Sequence, residues 1–273
     1  MSSSPRPLTS DPGAIADAFV WARLAGQSLA DFPGRIPRDL DAGYSVQDAA
    51  IARWPDRVAG WKVGWIAPER RDASGDDRLV GPIFAASVHE APRGIGTEVE
   101  FPVFDGGFAA IEAEYVFRLG ADAPRTQTDW TPEDAAKLVG ALHVGIETAG
   151  SPLATINVLG PTVVVSDFGN NAGLIVGPAI PDWSERRTPL ACTAYVDGVR
   201  VGGAEVELAT PLAALAFALG RLARRGRALR AGDLVTTGAV TGIHDVVAGQ
   251  VAHVAFDGAG TIRCRAVPAR ARA

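Results

Sequence analysis

Residues 111–117 read Ile111-Glu112-Ala113-Glu114-Tyr115-Val116-Phe117. Successive side chains of a strand point to opposite faces, so a strand here places Glu112 and Glu114 on one face with their Cβ atoms about 6.5 to 7 Å apart. Burying two carboxylates side by side is costly unless a cation or hydrogen-bond donors satisfy them. A hard divalent cation such as Mg²⁺ or Mn²⁺ resolves that conflict because it takes carboxylate oxygens and keeps positions for water and substrate. A solvated strand face is the alternative.

The sequence around this stretch predicts many strands. From about residue 98, short apolar segments with period-two alternation are separated by Gly, Pro and Asp, a pattern typical of strands joined by turns. The predicted strands are residues 97–103, 109–118, 141–148, 162–165, 174–176, 191–196, 234–236 and 250–256. Helices are predicted at 131–138 and at 211–225, where leucines form an apolar stripe.

The first part of the chain predicts helices and one further strand. Helices are expected at residues 14–29 and 45–54, the second with Ser45 as N-cap. A strand is expected at residues 58–65, where Lys62 lies on a face otherwise formed by glycines. Such a lysine is either extended towards solvent or catalytic. The change in periodicity near residues 85 to 95 suggests a domain boundary, and one continuous unit is the alternative.

Three other segments carry polar side chains at places where a ligand can reach them. The apolar run 141–147 ends in Glu147, a third carboxylate or simply a strand-end charge that faces water. The loop 166–173 contains Asp167 and is either a ligand-contacting loop or an ordinary turn. Residues 232–238 read Gly-Asp-Leu-Val-Thr-Thr-Gly and offer hydroxyls and amides at the end of a short strand.

Composition limits the class of partner and the compartment. The 273 residues are 47% hydrophobic, which is ample for a buried core. The net charge of -5, with no basic stripe, argues against nucleic acid and favours a small molecule. The basic run 221–230 is interpreted as solvated surface. Two distant cysteines, residues 1–7 without an apolar signal core, and no long apolar run predict a cytoplasmic protein that does not engage a membrane.

Taken in chain order, six short segments resemble the 2-keto-4-pentenoate hydratase and 4-oxalocrotonate decarboxylase branch of the fumarylacetoacetate hydrolase superfamily. They span roughly residues 45 to 267, and each is unspecific alone. The segments are 60–64 (GWKVG), 81–84 (GPIF), 111–114 (IEAE), 146–147 (IE), Asp167 with 170–173 (NNAG), and 232–238 (GDLVTTG).

The resemblance implies an α+β fold: a fumarylacetoacetate-hydrolase-like mixed β-roll with peripheral helices and a smaller N-terminal helical region. Residues 1–90 then form the helical region with the Lys62 strand, and 91–273 form the catalytic β-roll, or the two make one continuous domain. The resemblance also implies a homo-oligomer. Its implied site residues are the metal ligands Glu112, Glu114 and Glu147, binding Mg²⁺ or Mn²⁺, and the catalytic candidates Lys62 and Asp167.

The implied function is that of a lyase in aromatic compound catabolism. It is a metal-dependent hydratase that adds water to a 2-hydroxy-2,4-dienoate or 2-oxo-enoate to give a 4-hydroxy-2-oxo acid, with the metal as Lewis acid. The alternatives are a decarboxylase of the 4-oxalocrotonate type, an acylpyruvate hydrolase and, less favoured, a non-catalytic family member. Three positions depart from the family's pattern: Leu79 replaces an acid, Pro152 an arginine and Phe168 an asparagine.

Overall fold

A computed structural model describes residues 8–92 and 97–272 of the chain. Residues 1–7, which entered the prediction of a cytoplasmic protein, lie outside the described residues. None of the described helices is long and apolar enough to cross a membrane. The helices are α1 (Pro12–Ala25), α2 (Leu40–Arg53), α3 (Pro132–Ala136), α4 (Ile156–Leu159), α5 (Pro161–Ser166) and α6 (Ala209–Arg224). The strands are β1 (Val58–Trp65), β2 (Arg78–Phe84), β3 (Val88–Glu90), β4 (Val99–Val103), β5 (Phe108–Leu119), β6 (Val139–Ser151), β7 (Asn171–Ala179), β8 (Leu190–Val196), β9 (Val199–Val206), β10 (Leu234–Thr236), β11 (Ile243–Asp245), β12 (Val251–Phe256) and β13 (Gly260–Pro268).

These strands form two mixed sheets. The large sheet has the order β2-β1-β10-β5-β6-β7-β3, and β11 also pairs with β5. The small sheet has the order β4-β13-β12-β8-β9. Most pairs are antiparallel, while β1 with β10, β3 with β7 and β4 with β13 are parallel. This arrangement, with few helices, confirms the predicted α+β class. The strand with Lys62 lies in the same sheet as the glutamate strands, and the division of the chain near residue 90 stays a prediction.

The core between the two sheets fixes which way the glutamates point. Tyr115 of β5 is buried and meets Phe256 of β12 edge to face, with 5.8 Å between ring centroids. Phe117 lies in the same apolar cluster, which includes side chains of both sheets. Because alternate residues of β5 face opposite ways, Glu112 and Glu114 project from the other side of the large sheet.

Two arginines of the basic run 221–230 form ion pairs within the fold. Arg221 is only 8% exposed and forms ion pairs with Asp41 and Asp76. Arg225 pairs with Asp48, and its guanidinium lies 4.2 Å from the centroid of the Tyr44 ring. The interpretation of this run as solvated surface is therefore wrong for Arg221 and Arg225, which join α6 to the N-terminal helices.

Several predicted element boundaries need correction. Helix α1 ends at Ala25, not at residue 29, because Gly26 adopts a left-handed conformation. Ser45 is not the N-cap of α2. Asp39 has that role, accepting a hydrogen bond from Ala42 N, whereas the Ser45 hydroxyl donates to the Asp41 carbonyl inside the helix.

The predicted strand at 162–165 is wrong, because these residues lie in α5. Pro161 occupies the first turn of this helix, a position that proline favours, and Gly160 precedes it with φ at 112°. The buried Gln47 amide of α2 donates to the Val165 carbonyl. Packing against α2 thus overrides the strand preference of three successive valines. Strand β2 was not predicted from the sequence, because Gly81 and Pro82 interrupt its apolar pattern.

Candidate metal centre

The register of β5 against β6 brings the three glutamates together. Glu112 lies directly opposite Glu147, and Glu114 lies two residues further along the same face of β5. One carboxylate oxygen from each residue lies within 4.8 Å of those from the other two. Each side chain is buried, at no more than 3% exposure. The predicted convergence is therefore present in the fold, and the solvated alternatives for Glu112, Glu114 and Glu147 are wrong.

One oxygen of Glu114 is held by the backbone that follows β10. Glu114 Oε2 accepts hydrogen bonds from the amides of Thr237 at 2.8 Å and Gly238 at 2.7 Å. The Thr237 hydroxyl donates to the Tyr115 carbonyl at 2.9 Å, which fixes the turn against β5. These contacts give the segment 232–238 a physical role, because it supplies the amides that orient Glu114.

Glu147 is oriented by side chains instead. Its Oε1 accepts from Asn171 Nδ2 at 3.1 Å, and its Oε2 accepts from the Thr236 hydroxyl at 3.3 Å. Both partners are buried. The supporting residues Asn171 and Thr236 come from two of the segments that carried the family resemblance. The sequence predicted that hydroxyls and amides of 232–238 are available to a ligand, and it gave Asn171 no separate role.

Two further carboxylate oxygens are buried and unpaired. Glu112 Oε1 and Glu114 Oε1 have no hydrogen-bond partner within the part of the chain that the structure describes. A buried acceptor without a partner is costly, and more so when it is charged. A hard divalent cation binds such oxygens directly. The donor set therefore fits Mg²⁺ or Mn²⁺.

Lys62 of β1 lies next to the cluster. Its ammonium is 3.3 Å from Glu147 Oε1 and donates to Asn170 Oδ1 at 3.2 Å. At 3% exposure it does not extend into solvent, so the surface alternative for this lysine is wrong. Burial opposes its charge, but Glu147, Glu112 and Glu114 more than offset burial and raise the pKa of Lys62 above its ordinary value. Lys62 is therefore a cation.

Burial also raises the pKa of two of the glutamates. It raises the pKa of Glu112 to about 7, with Lys62 opposing the shift and Glu147 adding to it. Burial, Glu147 and Glu112 raise the pKa of Glu114 well above its ordinary value. One lysine thus compensates three carboxylates incompletely, and the cluster calls for more positive charge than the described side chains provide.

A close backbone approach places Asn170 beside Lys62. A Cβ atom at Gly81 would lie 2.1 Å from the Phe168 carbonyl oxygen, so only glycine lets the loop 168–170 lie against β2. Across the sheet, Gly81 is the partner of Lys62. Asn170 itself adopts φ of 56°, in the left-handed region. This contact explains why glycine occupies the first position of the segment 81–84.

Asp167 lies in a different environment from the glutamates. Both of its oxygens bind the Arg23 guanidinium, at 2.5 and 2.9 Å, and Oδ2 also accepts from the Ser151 hydroxyl at 2.5 Å. Arg23 further donates to the Gly150 carbonyl at 2.9 Å. The loop that starts at Asp167 supplies Asn170 to Lys62 and Asn171 to Glu147. The catalytic role predicted for Asp167 stays a prediction.

Sequence reasoning missed Arg23, although a signal was present. Arg23 lies four residues after Phe19, which is fully buried in α1. Residues four apart share one face of a helix, so the position places an arginine on the apolar stripe. A charged residue on such a stripe requires a buried partner, and Asp167 is that partner.

A cavity of about 380 Å³ opens from the cluster, here called the Lys62 cavity. Lys62, Glu112 and Asn170 are at its inner end. Its other lining residues are Gly64, Trp65, Ile66, Ala67, Arg70, Leu79, Asn157, Gly160, Pro161, Val164, Ala239, Gly242 and Ile243. Glu112 of the cluster and Lys62 thus face a space of the size that small ligands occupy.

No protein-family model matches the chain. Among curated proteins, it is similar to the 2-keto-4-pentenoate hydratase of Paraburkholderia xenovorans, with 25% identity over 255 residues that cover 91% of this chain and 92% of the relative. The 2-keto-4-pentenoate hydratase 1 of Dechloromonas aromatica is 26% identical over 266 residues, which cover 91% of this chain and 94% of the relative.

Two solved structures resemble the fold. The 4-oxalocrotonate decarboxylase from Pseudomonas putida G7, complexed with magnesium and adipate, matches with a TM-score of 0.78 and 20% identity over 96% of this chain and 100% of its own. Fumarylpyruvate hydrolase from Pseudomonas aeruginosa, in complex with Mn²⁺ and pyruvate, matches with a TM-score of 0.56 and 21% identity over 79% of this chain and 91% of its own.

The fold is therefore that of the fumarylacetoacetate hydrolase superfamily, as the six segments predicted. Within this class, the curated relatives confirm the resemblance to the 2-keto-4-pentenoate hydratase and 4-oxalocrotonate decarboxylase branch. They also confirm the prediction that the chain is an enzyme, since each carries the name of a hydratase.

Proposed function

We propose that this protein is a metal-dependent hydratase that adds water to a 2-hydroxy-2,4-dienoate and yields a 4-hydroxy-2-oxo acid. The observation that carries the proposal is the buried cluster of three glutamates, in which Glu112 and Glu114 each have an oxygen without a hydrogen-bond partner among the described residues. Glu112 of this cluster lines a cavity that Lys62 also lines. Relatives that match nine tenths of the chain and are named as hydratases support the reaction type.

In this proposal Glu112, Glu114 and Glu147 are the ligands of Mg²⁺ or Mn²⁺. A bound divalent cation supplies Lewis acidity to the 2-oxo oxygen of the substrate. Glu114 Oε2 keeps its hydrogen bonds to the amides of Thr237 and Gly238, and Glu147 Oε2 keeps its hydrogen bond to the Thr236 hydroxyl. These donors hold the two carboxylates in place. Hydrogen-bonded supports of this kind orient ligands and tune their affinity for the cation.

Lys62 carries the second part of the proposal. A cation at the inner end of the cavity binds the carboxylate of an acid substrate, and its ammonium proton is available to a carbon or oxygen that becomes negative. Asn170 accepts from the ammonium and so restricts its direction. Lys62 therefore positions the acid and, as a cation, is the group that supplies a proton rather than one that accepts it.

Asp167 has a positioning role in this proposal. Its ion pair with Arg23 fixes the start of the loop 168–171, from which Asn170 reaches Lys62 and Asn171 reaches Glu147. Asp167 thus acts through two asparagines. A small-molecule acid is the partner that this site fits, and assembly into a homo-oligomer stays a prediction.

The test is an absorbance assay on 2-hydroxypenta-2,4-dienoate with Mg²⁺, with Mn²⁺ and with EDTA, followed by identification of the product. The proposal predicts metal-dependent decay to 4-hydroxy-2-oxopentanoate. Release of CO₂ from a 2-oxo-dioate would reassign the protein as a decarboxylase, and cleavage of an acylpyruvate to two acids would reassign it as a hydrolase. No turnover of any of these acids with either metal would contradict the proposed enzyme.

A further inference from the structure

We propose that the Lys62 cavity selects acids with an apolar tail longer than that of the five-carbon dienoate. This inference rests on the proposed function, because it assumes that the carboxylate end of the substrate lies at Lys62. It goes beyond the reaction type by assigning the chemistry of the far end of the substrate.

The walls of the cavity are apolar beyond its inner end. Leu79 and Ile66 are buried at 4% and 2% exposure, and Val164 lies on the opposite side, in α5. Leu79 reaches the inner end itself, since a Cβ at Gly64 would lie 3.3 Å from Leu79 Cδ1 and 3.7 Å from the Lys62 ammonium. The tail of a bound acid therefore meets hydrocarbon immediately after the lysine.

The outer part of the cavity is also apolar, and it is open to solvent. Trp65 is 63% exposed and Ile243 is 50% exposed, and both line the cavity. Large exposed apolar side chains gain free energy when a ligand covers them. An extended tail would cover this rim, whereas the five-carbon acid ends inside the cavity.

The volume of the cavity leaves space for such a tail. The five-carbon dienoate has eight non-hydrogen atoms and occupies at most roughly 240 Å³, even at the full 30 Å³ that each water molecule takes in the liquid. The cavity measures about 380 Å³. A Cβ at Gly160 meets no atom within 4 Å, so this wall does not close the space.

The test measures binding rather than turnover. Calorimetry on the Mg²⁺-loaded protein compares saturated 2-oxo acids, which cannot be hydrated, from 2-oxopentanoate to 2-oxooctanoate. The inference predicts that Kd falls about fourfold for each added methylene, which corresponds to ~0.8 kcal/mol. A Kd that does not change with tail length overturns the inference.

Two exposed tryptophans give a matched pair of variants. Trp65→Ala removes part of the rim, and we expect it to reduce the dependence of Kd on tail length by at least half. Trp21→Ala truncates a residue that is 57% exposed on α1 and is absent from the cavity lining, so it keeps the full dependence. Equal tail dependence in both variants contradicts the role of the rim.

The outcome separates this inference from the proposed function. Turnover of the five-carbon dienoate with no gain from longer tails leaves the hydratase in place and removes the selectivity. Tail-dependent binding without turnover of any dienoate supports the selectivity and contradicts the reaction. Loss of tail dependence in Trp65→Ala together with a changed oligomeric state assigns the rim to a subunit contact and overturns its role in binding.

Discussion

Asp167 and the glutamate cluster are two buried carboxylate sites that contact the same loop, and their negative charge is balanced differently. Asp167, at the start of the loop, is bound through both oxygens by Arg23 and also by Ser151. The glutamate cluster, which the loop touches through Asn171, has three carboxylates, one lysine and two unpaired oxygens. Arg23 and Ser151 satisfy both oxygens of Asp167. The glutamate oxygens without a partner among the described residues need an added cation.

The comparison shows that burial alone does not identify a metal site. Asp167 is as deeply buried as the glutamates. What separates the two groups is whether each buried oxygen has a donor and whether the charges balance. Counting donors and charges therefore supports the proposed metal-binding role for the cluster and the proposed positioning role for Asp167.

The largest effect is expected for Glu114→Gln. The amide keeps the side-chain volume and an oxygen acceptor for the backbone of Thr237 and Gly238, but it removes one anionic ligand. Loss of the metal removes several kcal/mol of transition-state stabilisation, so we expect turnover of the dienoate to fall at least about a thousandfold. Glu100→Gln, an exposed strand glutamate, is the control and keeps wild-type turnover. Wild-type turnover in Glu114→Gln would contradict the assignment of Glu114 as a metal ligand.

The ion pair of Asp167 predicts a large loss of stability instead. Asp167→Asn leaves Arg23 buried without its counter-charge, and we expect the free energy of unfolding in urea to fall by about 3 to 5 kcal/mol. The double variant Arg23→Met, Asp167→Leu removes both charges and should recover most of that loss. If the single variant is as stable as the wild type, the pair does not fix the loop.

A substitution in the glutamate cluster should not lower the stability of the metal-free protein, in contrast to Asp167→Asn. In EDTA, Glu112→Gln replaces a buried carboxyl group, whose pKa burial raises to about 7, with a neutral amide of similar size, so we expect its Tm to equal or exceed that of the wild type. Mg²⁺ at about 100 times its Kd stabilises the wild type by about 2.7 kcal/mol, a rise of roughly 5 to 10 °C in Tm, and should not stabilise the variant. Calorimetric melts of both proteins check this. A fall in Tm for Glu112→Gln in EDTA contradicts the contrast between the two groups.

A smaller effect is expected at the residue that joins the two groups. Asn171→Ala removes the donor to Glu147 Oε1, so the ligand loses its orientation while the carboxylates remain. Changes at such supporting residues weaken metal affinity by about 10- to 100-fold. Isothermal titration with Mn²⁺ measures the change. An unaltered affinity would show that Thr236 and Lys62 are enough to orient Glu147.

The sequence predicted the parts of this structure that follow from local periodicity. Strand β1 has the predicted bounds, and the alternation in β5 correctly placed Glu112 and Glu114 on one face. The association of Glu147 with that face required the family resemblance, because strand pairing is not encoded in local spacing. The strand predicted at residues 162–165 was wrong because packing against α2 favours a helix there.

The supporting contacts were beyond sequence reasoning because they join distant segments. Arg23 and Asp167 are separated by 144 positions, and nothing local marks them as partners. For Thr237 and Gly238 the sequence predicted available amides, but it did not identify Glu114 as the carboxylate that they bind. Asp167 looked like a catalytic candidate because it lies in a polar loop, and only its contacts show how it is neutralised.

We propose that Glu112, Glu114 and Glu147 form a divalent metal centre. Titration of the EDTA-treated protein with Mn²⁺, followed by electron paramagnetic resonance of the free ion, measures this binding directly. We expect one bound Mn²⁺ per chain, displaced by Mg²⁺, and loss of this binding in Glu114→Gln, whereas the control Glu100→Gln retains it. Equal Mn²⁺ binding by the wild type and Glu114→Gln, or none by the wild type, would contradict the claim.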